Sequence, residues 1–240
     1  MLRAEGLRKS FGARTVVDGI SLAVGRGEMV GLLGPNGAGK TVTFSMIVGS
    51  LQPEAGRIWI DDVEVTQKTM AQRARAGLGY LTQERSLFRH LSVIDNLRLI
   101  LEMRSIPAER KHEMLHRLIE QFSLEPLLHQ RADSLSGGQQ RRVEVARALA
   151  TEPSYLLLDE PFAGIDPLTV ADLQHMMVDL RSRNYGILVT DHNVADTLRI
   201  TDRAYVIHDG RVITVGTPDQ ITADPLARAV FFGERFRYAR

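Results

Sequence analysis

Gly34-Pro35-Asn36-Gly37-Ala38-Gly39-Lys40-Thr41 decides the fold. The stretch follows a short apolar run, Met29-Val30-Gly31-Leu32-Leu33, which reads as a buried strand. It precedes a helical segment, Val42 to Val48. Strand, G-x-x-x-x-G-K-T, helix is the setting that a phosphate-binding loop needs. The glycines let the backbone curl until successive N–H groups face phosphate oxygens, and the helix N-terminus adds partial positive charge. In such a loop Lys40 reaches the β- and γ-phosphates, and the Thr41 hydroxyl ligates Mg²⁺.

Further apolar runs end in polar groups suited to the same ligand. Tyr155-Leu156-Leu157-Leu158 runs into Asp159-Glu160-Pro161. Ligands of an open parallel sheet sit beyond the C-terminal ends of its strands. Asp159 is then placed for Mg²⁺ and Glu160 to polarise an attacking water. Gly77-Leu78-Gly79-Tyr80-Leu81 ends at Thr82-Gln83, where an amide oxygen can ligate Mg²⁺ or orient water. Gly186-Ile187-Leu188-Val189-Thr190 leads to Asp191-His192, and a neutral imidazole N–H can hold a γ-phosphate. Asp166 with Pro167 reads as the cap and first turn of a helix reaching Arg183.

Residues 2 to 24 alternate apolar and polar side chains, as a half-exposed antiparallel sheet does. Val16-Val17 and Ile20 to Val24 read as its strands, with Phe11-Gly12 in a turn, and Arg57 to Ile60 as another strand. Arg203 to Ile207 and Arg211 to Val215 read as exposed strands joined at His208-Asp209-Gly210. From Ser92 to Phe122 the period becomes helical. Val93, Leu97, Ile100 and Leu101 share one face, and Met114, Leu115, Leu118, Ile119 and Phe122 share another.

The 240 residues suffice for one large α/β domain with an insertion. A formal net charge of +1 supplies no field to draw the chain to nucleic acid or lipid. The chain has no cysteine, which excludes disulfides, thiolate zinc and cysteine nucleophiles. No apolar stretch approaches the length of a membrane span, and the first residues do not read as a signal peptide. The expectation is a cytoplasmic protein that meets a membrane only through partners.

Leu135-Ser136-Gly137-Gly138-Gln139 settles the family. Leu-Ser-Gly-Gly-Gln arises by chance in fewer than about one in a thousand chains of this length. It reads as opening a helix from Gln139 to Ala150, where Ser136 and the glycine amides form a second anion site. With these motifs in this order, the chain resembles the ATP-binding-cassette (ABC) ATPases over nearly its whole length. The resemblance implies an α/β P-loop NTPase core with a RecA-like mixed sheet, an N-terminal antiparallel β subdomain and a helical subdomain insertion. It divides the chain into an ATP-binding core over residues 1–83 and 151–220, a helical signature subdomain over 84–150, and a C-terminal tail over 221–240.

The resemblance further implies a homodimer arranged head to tail. ATP with Mg²⁺ would lie between Gly34 to Thr41 of one copy and Ser136 to Gln139 of the other. It gives Glu160 the role of general base, His192 that of γ-phosphate switch, and Asp166 a contact with the opposite copy. Phe11 takes the adenine-stacking position, where relatives often have Tyr. Val42 stands where relatives usually have a second hydroxyl residue, so the α-phosphate keeps only the Val42 N–H. Integral membrane subunits would dock in a groove lined by Leu87-Phe88-Arg89-His90-Leu91, with Phe88 and Arg89 foremost. Within the family, Gly31 to Lys40, Leu158 to Phe162 with Ala163-Gly164-Ile165-Asp166-Pro167, Thr190 to Val194 and, most specifically, the tail Val230 to Phe236 are similar to ATPases that power lipopolysaccharide export. ATPases of branched-chain amino-acid importers share much of the first three, and a soluble non-transport ABC protein is the remaining alternative.

Overall fold

The computed structural model describes residues 1–232. β1 (Leu2–Phe11) and β2 (Arg14–Val24) form an antiparallel hairpin. Where the sequence suggested two short strands, β2 is continuous. Asp18-Gly19 interrupts the apolar alternation, and the ladder absorbs Gly19 as a bulge: Leu7 faces Ile20 while Arg8 faces Asp18. β3 (Met29–Leu33) is buried at every position and feeds α1 (Lys40–Val48). α1 begins two residues before Val42 because Gly39, at φ 104°, turns the chain straight into the helix. β4 (Ala55–Ile60) and β5 (Val63–Glu64) extend the hairpin into a sheet of order β2-β1-β4-β5.

α2 (Met70–Arg75) carries a reciprocal Thr69–Gln72 cap and leads to β6 (Leu78–Leu81). The helical stretch follows as α3 (Val93–Glu102), α4 (Ala108–Gln121) and α5 (Gly137–Leu149). Then come β7 (Tyr155–Asp159), α6 (Pro167–Ser182) capped by Asp166, β8 (Gly186–Thr190) and α7 (Val194–Ile200). β9 (Arg203–His208), β10 (Arg211–Gly216) and α8 (Pro218–Ala223) follow. The expected tail from residue 221 begins with Ile221 buried in α8. From residue 233 on, including most of the Val230 to Phe236 cue, it lies outside the described residues.

The second sheet has the order β10-β9-β3-β8-β7-β6. β9, β3, β8, β7 and β6 run parallel, and β10 pairs antiparallel with β9. This corrects the expectation that β9 is an exposed hairpin strand. It lies between β3 and β10 with Ala204, Val206 and Ile207 buried. Because β3, β6, β7 and β8 are parallel, the phosphate loop, Gln83, Glu160 and His192 all emerge at one edge of the sheet.

Alternate residues of β7 serve two apolar cores, as strand geometry requires. Leu156 and Leu158 pack with Val93, Leu97, Met114, Leu118 and Val145 of the helices. Tyr155 and Leu157 pack with Leu7, Ile20, Phe44, Ile47 and Ile58 on the antiparallel side. The helical stretch therefore shares its core with the parallel sheet.

Candidate nucleotide-binding site

The loop after β3 is shaped by close backbone approaches. A Cβ on Gly34 would lie 2.3 Å from the Ile207 carbonyl oxygen, and one on Gly39 would lie 2.8 Å from that of Val16. Ala38 N–H donates to Pro35 O at 3.2 Å, and Ala38 O accepts from Gly210 N–H at 3.1 Å. Asn36 and Gly37 are exposed at the rim, as is Thr41. Lys40 Nζ, only 7% exposed, donates to Gly34 O (2.7 Å) and Pro35 O (3.1 Å). Burial pulls its ammonium below the usual lysine range, against the opposing pull of Glu160, Asp159 and Asp191. A phosphate oxygen would give this cation a charged acceptor in place of two neutral carbonyls. Val42 is half-buried against the antiparallel-side core.

The acidic groups gather beyond β7 and β8. Gln83 Nε2 donates to Glu160 Oε2 at 2.7 Å, and His192 Nδ1 stands 3.7 Å from the same oxygen. Glu160 takes φ 46°, in the left-handed region, and its N–H donates to Thr190 O at 2.8 Å. Asp159 is buried, and its pKa is pushed up to about 6, first by burial and then by Glu160. Tyr80, whose own pKa rises to about 12, donates a hydrogen bond to it. Asp191 is also raised by burial, although it accepts from Asn193 N–H (2.8 Å) and Phe162 N–H (3.1 Å). In both cases burial, which disfavours the charged carboxylate, is the leading cause. The Thr41 hydroxyl, the Gln83 amide oxygen and the Asp159 carboxylate are hard oxygen donors, so the residues present fit Mg²⁺.

The signature residues form the start of α5. Ser136 Oγ accepts from Gln139 N–H at 3.3 Å, while Gln139 Oε1 accepts from Ser136 N–H at 2.9 Å. This reciprocal cap starts the helix at Gly137, two residues before the expected Gln139. Gly138 packs on α6, where a Cβ would lie 2.0 Å from Thr169 Cγ2. Gly137 lines a small cleft with Gln83, Arg85 and Glu160. Thus Lys40, Gln83, Asp159, Glu160 and His192 gather around one set of charges. Ser136 and Phe11 are engaged by their own neighbours: Phe11 stands half exposed at the β1–β2 turn with Lys9 Nζ 5.9 Å from its ring centroid.

Asp191, Tyr80 and the buried pair Arg141–Glu144 were missed in the sequence. Asp191 carries the signal used for Asp159, a carboxylate just past an apolar strand. Arg141 and Glu144 sit in a charged run that reads as a solvated helix face.

A cleft of about 490 Å³ lies beside β6, walled by Met70, Ala74, Tyr80, Phe88, Ile100 and Arg147 among others. Of the stretch Leu87 to Leu91, expected to line a docking groove, Phe88 alone lines this cleft. Leu87 is buried in the core, and His90 turns to Asp133 at 3.3 Å. Phe88, 44% exposed, faces the cleft because Asn96 grips its backbone, accepting from its N–H (2.9 Å) and donating to its C=O (3.1 Å).

Residues 17–163 match the model of the ABC transporter family. The chain is 48% identical over 237 residues to the lipopolysaccharide export system ATP-binding protein LptB of Acidithiobacillus ferridurans, covering 99% of this chain and 98% of that protein. It is 51% identical to a probable ABC transporter ATP-binding protein of Azorhizobium caulinodans, covering 98% of this chain and 84% of the other. Among solved structures, an ATP-binding cassette of an ABC transporter in its ADP conformation superposes with a TM-score of 0.87 at 27% identity, over 98% of this chain and 99% of that one.

Proposed function

The chain belongs to the ABC transporter ATP-binding family, and on that premise we propose that this ATPase powers the extraction of lipopolysaccharide from the inner membrane. The observation that carries the chemistry is Glu160 Oε2, held by Gln83 and faced by His192 at the same sheet edge as the phosphate loop. The name of the 48%-identical relative supports the cargo and does not favour a branched-chain amino-acid importer.

Gly34 to Val42 would cradle the phosphates through backbone N–H groups, and Lys40 would neutralise them. Thr41, Gln83 and Asp159 would hold Mg²⁺, which supplies charge neutralisation to the β- and γ-phosphates. Glu160 would polarise the attacking water, and His192 would hold the γ-phosphate. Phe11 would stack on adenine. Two copies would pair head to tail, with Ser136, Gly137, Gly138 and Gln139 of one closing the site of the other. Residues 84–150 would act as the helical signature subdomain between two parts of an ATP-binding core.

Among the described residues no helix is long and apolar enough to cross a membrane. Membrane subunits would therefore supply the span, seating an amphipathic helix in the Phe88 cleft with Arg89 at its edge. The chain would work on the cytoplasmic face of the inner membrane.

A tagged chain drawn from detergent-solubilised membranes should bring integral membrane subunits with it, and depleting the chain should trap lipopolysaccharide in the inner membrane. Recovery of amino-acid permease subunits, with lipopolysaccharide export intact after depletion, overturns the cargo. Glu160→Gln should bind ATP normally and lose hydrolysis by about 100-fold or more. Undiminished turnover in that variant removes Glu160 from the role of base.

A further inference from the structure

A row of side chains outside the reacting groups joins the Phe88 cleft to the end of β7, just before Glu160. Arg147 walls the cleft with its guanidinium 5.5 Å from the Phe88 ring centroid. Its Nη2 donates to Ser86 Oγ at 2.6 Å. Ser86 offers both its backbone N–H (2.6 Å) and its hydroxyl (3.3 Å) to Glu144 Oε1. The other carboxylate oxygen, Oε2, accepts from Arg141 Nη1 at 3.1 Å. Arg141 then donates from Nη1 to Thr82 O (3.0 Å) and from Nη2 to Asp159 O (3.4 Å). Thr82 precedes Gln83, and the Asp159 carbonyl belongs to the peptide that begins Glu160.

Residues 141, 144 and 147 lie three apart and therefore share one face of α5. Glu144 and Arg141 are 3% and 6% exposed, so the pair is desolvated. Apolar side chains would fill such a spot at lower electrostatic cost. What an ion pair adds is direction: each Glu144 oxygen has a fixed partner, one toward the cleft and one toward the catalytic strand.

We propose that Glu144 is a positioning residue that transmits occupancy of the cleft to Gln83 and Glu160. A helix seated against Phe88 and Arg147 shifts Ser86, and Glu144 carries that shift through Arg141 to the two backbone carbonyls. An ångström of misplacement at a reacting group costs up to about 100-fold in rate, so a small shift suffices to gate hydrolysis. The proposal rests on the docking reading given above.

The complex purified through a tag on this chain, with its membrane subunits, is compared with the chain alone. ATP hydrolysis is measured for wild type, Glu144→Gln, Ser86→Ala and the double variant, on equal amounts of assembled protein. The readout is the ratio of the two rates, which a smaller folded fraction does not move. Glu144→Gln should lower the ratio about fivefold or more. Ser86→Ala, which removes the hydroxyl shared by Arg147 and Glu144 but spares the buried pair, should lower it about twofold. The double variant should fall no further than Glu144→Gln.

A wild-type ratio in Glu144→Gln overturns the proposal, as does a wild-type protein whose rate its partners leave unchanged. If Glu144→Gln fails to fold, Ser86→Ala decides alone, and an unchanged ratio there overturns it. Phe88→Ala separates the two readings. If that variant keeps both its membrane subunits and its ratio, docking at Phe88 fails and the proposal falls with it. If it loses the ratio while Glu144→Gln does not, only the relay fails.

Discussion

Asp159 is the residue at which stability and chemistry oppose each other. Its carboxyl titrates near 6 in the folded chain against 3.8 for an ordinary aspartate. The folded state thus binds this proton more tightly than the unfolded state does. The resulting stabilisation is complete below about pH 4 and is lost as pH rises through about 6. At pH 7.5 the ionised group costs the empty protein on the order of 2–3 kcal/mol. Asp159→Asn should recover most of that in EDTA, and the gain should vanish near pH 3.5, where wild type is protonated as well. Denaturant melts at the two pH values check this, and equal stabilities at pH 7.5 would refute it. On the proposed role of Asp159 in holding Mg²⁺, the same variant should also lose Mg²⁺-dependent hydrolysis.

α5 shows best which features were readable before the structure. Elements buried on both faces are plain in the sequence: β3 and β8 span the predicted residues, since a short, mostly apolar run bounded by turn or polar residues admits few other readings. Asp166 and Pro167 marked the start of α6 because their chemistry is local. The start of α5 was misplaced because two glycines read as a break, whereas the Ser136–Gln139 cap holds them in the helix. The burial of β9 is not legible locally, because its second neighbour, β3, comes from a far earlier part of the chain, which no local pattern reports. Arg141 and Glu144 were invisible for the same reason: their partners Thr82, Ser86 and Asp159 arrive from other elements. Gly138 also has a packing role that the anion-site reading did not include. Placing Ala there would gain up to about 1 kcal/mol of helix propensity. It would also force a Cβ to within 2.0 Å of Thr169 Cγ2, and such overpacking costs about 1–3 kcal/mol. Gly138→Ala should therefore destabilise the ligand-free protein. Thr169→Ser, which deletes that methyl and keeps the hydroxyl bonded to Asp166 (2.6 Å), should restore it. Thermal melts of the four proteins give the coupling, and strictly additive effects would show that the α5–α6 contact is not the cause.

At the scale of the whole molecule the question is whether one chain holds a complete site. Lys40, Asp159, Glu160 and Gln83 converge on one sheet edge, whereas Ser136 occupies an exposed helix start with its hydroxyl engaged in its own cap. A head-to-tail pair makes a prediction that a self-sufficient monomer does not. Lys40→Met spoils the phosphate loop of its own chain, and Ser136→Asp spoils the signature it lends to its partner. Each variant alone should be inactive in both sites of its homodimer. Mixed one to one, half the dimers are mixed pairs, and in each of these one site combines an intact loop with an intact signature. About a quarter of wild-type turnover should return if the two sites act independently, because two-fold symmetry places one copy of each motif in each site. If both motifs served the same nucleotide within one chain, every site in the mixture would carry a defect and no activity would return. Turnover measured against mixing ratio distinguishes the two, since the paired arrangement peaks at equal amounts and the self-sufficient one stays flat at zero.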